Sequence, residues 1–473
     1  MNSRRPPADS AAATMSRGVK DSMGGLSGGV SRRALIGGGA AAFGCALQTH
    51  RAAAETFGAA STLQFDYPSG LRLVVKSARS SPLATIQVWI RAGGFLETPL
   101  NSGTAHVIEH LVFKGGEARA PGELDESVEQ LGGVLEAQTD KDWTRFSCTV
   151  ASRYVTRVLK SISESLTRPA FRPADWDAER SVIQAEIAQH RSEPASVVQE
   201  ELYALAYANH PYRMDVRGQA SGLSRLDLAD VRTYYNAHYH GGNLTVIVCG
   251  DVDPAEMQRE VGLAFGAEKP RTAPYKLALP AAEAPCATAK EKLLRRPGGT
   301  AYLGLAYAAP SVADRPDVYV MDVILTLLEN RAIGRLPRAL RGIPGFQASY
   351  QTLRQAGLFV LVAATPPDSA RAVDALVRRE LDLLKEPSLS DDEVGLAVRA
   401  LHGNFVMENE TLRDQAGTLG YYEAIDSWKF AMTYLERIRE VRAGQVQAVA
   451  RTYFQHERRV MVIADNPAAR GNS

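Results

Sequence analysis

The chain has 473 residues, 45% hydrophobic and 23% charged, the balance of a soluble globular protein of two to four domains. Lysine and arginine (54) match aspartate and glutamate (53), which excludes a strongly basic nucleic-acid binder and a polyacidic tail protein. Four cysteines without a CxxC pair make no disulfide framework, and no apolar run reaches the roughly 18–20 residues that span a bilayer.

Residues 1–54 are rich in Ser, Gly, Ala and Arg. Ser31-Arg32-Arg33 precedes a Gly/Ala-rich apolar stretch at 34–47, and Ala52-Ala53-Ala54 supplies a small-residue cleavage site. That layout predicts a twin-arginine export signal, cleaved to leave a soluble periplasmic chain. Cleavage removes seven basic and two acidic residues and turns the net charge from +1 to −4. Of the three cysteines left, Cys148 and Cys249 fall in strand-like runs and read as buried thiols.

Further along, 63–65, 71–75 and 86–90 alternate as strands do. A short helix over 103–114 follows, then an amphipathic helix over 122–131 that stops at Gly132-Gly133. Residues 134–139 and 144–150 read as a hairpin, 152–166 and 175–191 as long helices, and 244–249 as a strand ending at Gly250-Asp251. A helix, a turn and a strand ending in Asp465 repeat this close some two hundred residues later. The repeat predicts two homologous α+β domains, each an antiparallel-rich sheet with helices packed on one side. Their expected bounds are 55–267 and 291–466, with a Pro/Ala/Lys-rich linker at 268–290 and a flexible tail at 467–473.

The chemistry concentrates in the short helix. His106 and His110 stand four residues apart, so their rings project from one face a turn apart and can share a cation. Glu109 lies beside them, placed to hold a water rather than the metal. Val107, Ile108, Leu111 and Val112 cover the rest of the surface, so the helix is expected to be buried. Buried imidazoles and a carboxylate are costly without compensation, and a metal is the simplest one. The bland alternative is a pair of core histidines bonded to backbone. A second helix, opened by Pro173 and Asp175 and stopped before Pro194, carries Trp176, Ile183 and Ile187 inward. Glu179 and Glu186 flank that stripe two turns apart. One could complete a two-His, one-carboxylate zinc site and the other could orient a ligand histidine.

His106-Val107-Ile108-Glu109-His110, the following Leu111-Val112-Phe113-Lys114-Gly115, and Glu186 76 residues past His110 together resemble the inverted-zincin metallopeptidases, the pitrilysin, insulysin and mitochondrial-processing-peptidase family. His210-Pro211-Tyr212 and the run from Leu131 to Thr139 match as well. The resemblance implies one zinc per chain held by His106, His110 and Glu186, with Glu109 as general base and Glu179 supporting a ligand. It implies a clam-shell of such halves around a peptide chamber, with substrate added as a strand along Glu136, Ala137, Gln138 and Thr139.

Two departures from the family pattern stand out. Glu136 replaces a common Asn, which predicts a preference for basic or polar residues near the cut. In the second unit Arg341 holds the place of a substrate-steadying Arg, but Ala348 holds that of its Tyr partner, with Tyr350 two residues on. The chain is therefore expected to be the zinc-bearing subunit of a heterodimer whose same-fold partner supplies Arg and Tyr, with a homodimer as the plainer arrangement. The other function class is a non-catalytic peptide-binding or scaffold subunit of the same fold.

Overall fold

The structure is a computed structural model that describes residues 62–116, 120–267, 275–296 and 299–465. The export signal, the 467–473 tail and the 268–274 part of the expected linker lie outside them. No helix among the described residues is long and apolar enough to cross a membrane.

The first unit begins with β1 (Thr62–Asp66), β2 (Arg72–Ser77), β3 (Leu83–Ile90), α1 (Thr104–Val112) and α2 (Glu123–Glu129). The hairpin β4 (Val134–Thr139) and β5 (Thr144–Ala151) follows, then α3 (Val155–Thr167), α4 (Pro173–Ser192) and α5 (Pro194–Ala206). It closes with α6 (Ala220–Leu223), α7 (Leu228–His238), β6 (Leu244–Gly250) and α8 (Pro254–Ala264). The second unit runs β7 (Lys290–Arg295), β8 (Ala301–Ala309), α9 (Arg315–Glu329), α10 (Arg335–Ala339), β9 (Gly345–Tyr350) and β10 (Gly357–Thr365). Then come α11 (Ala370–Leu383), α12 (Asp391–Glu408), α13 (Leu412–Ile425), α14 (Lys429–Arg439), α15 (Ala443–Tyr453) and β11 (Val460–Asp465).

The two sheets have the same plan. Their strand orders are β1-β2-β6-β3-β5-β4 and β7-β11-β8-β10-β9. Without β1 they correspond strand for strand. In each, one pair is parallel (β2 with β6, β7 with β11) and the other pairs are antiparallel. The chain is thus an internal duplication of one α+β unit. Edge strand β4 of the first sheet corresponds to edge strand β9 of the second.

Period-two alternation sends Leu73, Val75, Ile86, Val88, Ile90 and Val248 to one face of the first sheet, where they pack with its own helices. The other face is covered from the opposite unit. Helix α13, buried from Gln415 to Ile425, lies on β3 and β6, and Trp89 and Ile247 share a core with Ala416 and Leu419. Helix α5 of the first unit reciprocates by packing Val198 and Leu202 on Ala306, Val360 and Val462 of the second sheet. Two glycines make room. A Cβ on Gly420 would stand 2.0 Å from Trp89 Nε1, and one on Gly304 would stand 2.4 Å from Val198 Cγ1. The first sheet's borrowed face is rich in polar groups, and α13 meets two charged ones. Lys76 Nζ donates to Gln415 Oε1 at 2.9 Å, and Arg72 pairs with the buried Glu423 at 2.7 Å.

The 275–289 segment carries no helix or strand. Its Glu283 accepts the backbone N–H groups of Ala208, Asn209 and His210, which fixes it against the first unit.

Candidate metal centre

Helix α1 opens at Gly103, whose φ of 94° is left-handed and which offers no capping side chain. Glu97 caps from a distance: its buried carboxylate accepts the N–H groups of Gly103 at 2.7 Å and Ala105 at 2.8 Å. Those are donors that the first turn of a helix leaves unpaired. Burial nevertheless pushes Glu97 up to about 7. Helix α4 lies across α1 and buries Trp176, Glu179, Ile183 and Ile187, which brings its carboxylates to the histidines.

The rings of His106 and His110 meet Glu186 at one point. Their Nε2 atoms are 3.3 Å apart, and Glu186 Oε2 stands 3.5 Å from that of His110 and 3.7 Å from that of His106. A point equidistant from the three atoms lies about 2 Å from each, the length of a zinc–nitrogen or zinc–oxygen bond. One proton can bridge only one pair of these three lone-pair atoms, whereas a divalent cation satisfies all of them. His106 Nδ1 and Glu109 Oε2 are buried with no hydrogen-bond partner among the described residues. The donor set therefore fits zinc.

The surroundings set each group's charge. Burial, with His110 beside it, pushes His106 down to about 3. Burial works the same way on His110 but is outweighed by Glu179 and Glu186, which raise it to about 10. Glu179 Oε2 meets His110 Nδ1 at 2.8 Å and its Oε1 meets Lys114 Nζ at 2.8 Å. Burial disfavours ionising Glu179, yet these two partners hold its carboxyl below the usual range. Burial raises Glu109 above the carboxylate range, moderated by a hydrogen bond from Thr139.

His106 and Glu109 open into a chamber of about 550 Å³. One wall is residues 137–141 at the end of β4, and the wall across from it is residues 347–352 at the end of β9. The chamber thus lies between corresponding edges of the two sheets. The turn between β4 and β5 joins the units beneath it, since Asp142 accepts from the Tyr212 hydroxyl and from the backbone N–H of Arg354.

Of the residues singled out in the sequence, His106, His110, Glu109, Glu179 and Glu186 are brought together, and Ala137, Gln138 and Thr139 line the chamber. Two are not. Glu136 is not among the lining residues, and its carboxylate is paired with Arg413 of α13 at 2.8 Å. Its charge is already matched, so the expected effect on substrate preference has no basis in the geometry. Arg341 is exposed at the end of the turn after α10 and stands outside the lining. Tyr350 lines the chamber, but its hydroxyl donates to the Pro310 carbonyl at 3.0 Å.

Sequence reasoning missed Glu97, whose role depends on how the 97–103 turn folds, and a charged row beside the metal centre. In that row His190 Nε2 stands 3.0 Å from Glu200 and 3.6 Å from Asp215, which in turn pairs with Arg217. The only sequence signal for it was His190, one turn past Glu186.

Comparison with known proteins gives a consistent answer. A profile described as insulinase (peptidase family M16) matches residues 72–219, and one described as peptidase M16 inactive domain matches 225–401. An uncharacterized zinc protease of Streptomyces coelicolor is 29% identical over 399 residues, 81% of this chain and 85% of that protein. The mitochondrial-processing peptidase subunit beta of Bos taurus is 26% identical over 400 residues, 80% of each chain. A solved protease from Helicobacter pylori has a TM-score of 0.80 at 21% identity, covering 85% of this chain and 99% of that one, a likeness of fold.

Proposed function

Because the chain belongs to the M16 family of peptidases, with an insulinase-like N-terminal domain and an M16 C-terminal domain, we propose that it is a zinc metallopeptidase whose catalytic centre is the cluster on α1 and α4. The observation that carries this reading is the convergence of His106, His110 and Glu186 at 3.3–3.7 Å, with Glu109 beside them in a peptide-sized chamber. A scaffold has no use for that set.

His106, His110 and Glu186 would hold the zinc, and Glu179 fixes His110 through Nδ1. When bound, zinc would supply Lewis-acid chemistry, polarising a carbonyl and lowering the pKa of a water towards about 7. Glu109 takes the proton of the attacking water and delivers it to the leaving nitrogen. Its buried oxygen without a partner and its raised pKa suit a group that must both accept and return a proton. The edge strand β4 at 137–139 holds the peptide backbone as an added strand and reads little of its sequence. Among the lining residues, aspartate and glutamate outnumber lysine and arginine seven to three, which favours cationic peptides.

One relative is named as a subunit, and the second unit here presents neither Arg341 nor a free Tyr350 hydroxyl to the chamber. Both observations support a second same-fold subunit closing the chamber. The test is peptide hydrolysis by the chain alone and with a same-fold partner, with and without chelator. Activity that survives both exhaustive zinc removal and Glu109→Gln would overturn the assignment.

A further inference from the structure

We propose that Arg217 is a catalytic residue of this chain, donating to the scissile carbonyl oxygen as negative charge develops there. The proposal rests on the peptidase reading above and names the donor that reading leaves unfilled.

The backbone puts Arg217 beside the metal helix. Gly103 and Gly218, at φ 94° and 77°, let two segments cross in direct contact. A Cβ on Gly103 would stand 2.8 Å from the Arg217 carbonyl oxygen, and one on Gly218 would stand 2.5 Å from that of Ser102. Residues 215–218 are thereby laid over the start of α1, one turn before His106. The Arg217 side chain lines the same chamber as His106 and Glu109, and its charge acts on both His106 and Glu186.

The guanidinium is held on one side and open on the other. Nη1 stands 3.2 Å from both oxygens of Asp215, and Asp215 also accepts the backbone N–H of Arg217 at 2.8 Å. Nε and Nη2 take no hydrogen bond among the described residues. The other cations of the lining are engaged elsewhere. Lys141 Nζ donates to the Tyr212 and Met214 carbonyls, and Arg213 donates to that of Ala208. A preset guanidinium with open donors beside a metal centre suits an oxygen that gains charge during reaction. No proton moves on Arg217. Water adds to the carbonyl carbon, Glu109 carries its proton to the departing nitrogen, and Arg217 stays cationic throughout.

The second-unit residues expected in this role do not fill it: Ala348 has no donor, Tyr350 is engaged with Pro310, and Arg341 lies outside the chamber. A partner subunit would then be needed to enclose substrate rather than to complete the chemistry.

The test compares wild type with Arg217→Gln and with Arg217→Lys, which keeps the Asp215 pair. A fall in kcat of about 100-fold or more is expected for Gln, with zinc content unchanged. A phosphinic peptide that mimics the tetrahedral state should lose affinity to Arg217→Gln by a similar factor in calorimetry, a readout that needs no turnover. Binding of an uncleaved substrate peptide, measured in the Glu109→Gln background, should change by no more than about threefold. Equal loss for mimic and substrate, loss of zinc, or kcat within about threefold of wild type overturns the role of Arg217. An inactive wild type that binds the mimic through Arg217 would instead count against the peptidase reading alone.

Discussion

Glu179 offers the sharpest test of how the metal centre is built. Its carboxylate is 7% exposed and receives His110 Nδ1 and Lys114 Nζ, each at 2.8 Å. A hydrogen bond to a charged partner is worth roughly 1.5–3 kcal/mol. Removing the outer partner of a ligand histidine lowers metal affinity about 10–100-fold, which is about 1.4–2.8 kcal/mol. Glu179→Ala belongs at the upper end, because Lys114 can turn to water while His110 loses its only anchor at Nδ1. Glu179→Gln belongs at the lower end, since its carbonyl oxygen still accepts from His110 while its amide faces Lys114 unfavourably. The assay is competition for zinc against a chromogenic chelator at fixed pH, with melting temperature as a check on folding. Three equal zinc affinities, or a Gln variant weaker than the Ala variant, would refute the orienting role.

Other outcomes follow from the same geometry. His106, pushed down to about 3, stays neutral over pH 7–9, while His110, raised to about 10, keeps a proton that zinc must expel. Apparent zinc affinity should therefore rise about tenfold per pH unit across that window, and calorimetry in buffers of different ionisation enthalpy should show one proton released. Because its folded pKa lies above the unfolded value, His110 stabilises the metal-free protein fully below about 6.5, and that contribution is lost as pH climbs towards 10. Thermal melting of chelated protein from pH 7 to 10 reads it. Gly420→Ala should destabilise by about 2 kcal/mol, because overpacking against the fully buried Trp89 costs roughly 1–3 kcal/mol and exceeds the helix-propensity gain. Gly403→Ala, with nothing within 4 Å of its Cβ, should stabilise by about 0.5–1 kcal/mol; denaturant midpoints decide both. Glu136→Asn should leave the cleavage-site profile unchanged and shift stability by less than about 1 kcal/mol, since the Glu136–Arg413 pair is exposed on both sides.

The clustering of these side chains was legible in the sequence for a physical reason. His106, Glu109 and His110 sit on one short helix, where spacing alone sets direction, and Glu179 and Glu186 flank an apolar stripe that had to face something. The duplication was legible too, from the recurring helix, turn and strand. The borrowed helices were not. Lys76, Thr85, Gln87, Ser147 and Thr245 alternate along their strands as residues on a solvent face do, yet all are buried beneath α13 or beside it. Only contacts between distant segments reveal that Lys76 is met by Gln415 and Gln87 by the Arg413 carbonyl. Arg341 stands exposed and outside the chamber of its own chain, a placement the sequence did not reveal. Alignment of a short run fixed its number along the chain, while the path of the turn after α10 carried it out to solvent.

The exchange of α5 and α13 has a consequence for how the chain can be divided. An excised first unit would expose Trp89, Ile247 and the ammonium of Lys76 to water on a bare sheet, while its own α5 would dangle an apolar side with nothing to rest on. A protease cut between residues 275 and 289 should therefore release nothing: the two fragments stay clasped on a sizing column and melt as one. Gene fragments encoding either portion should yield aggregates separately and native material only when produced together.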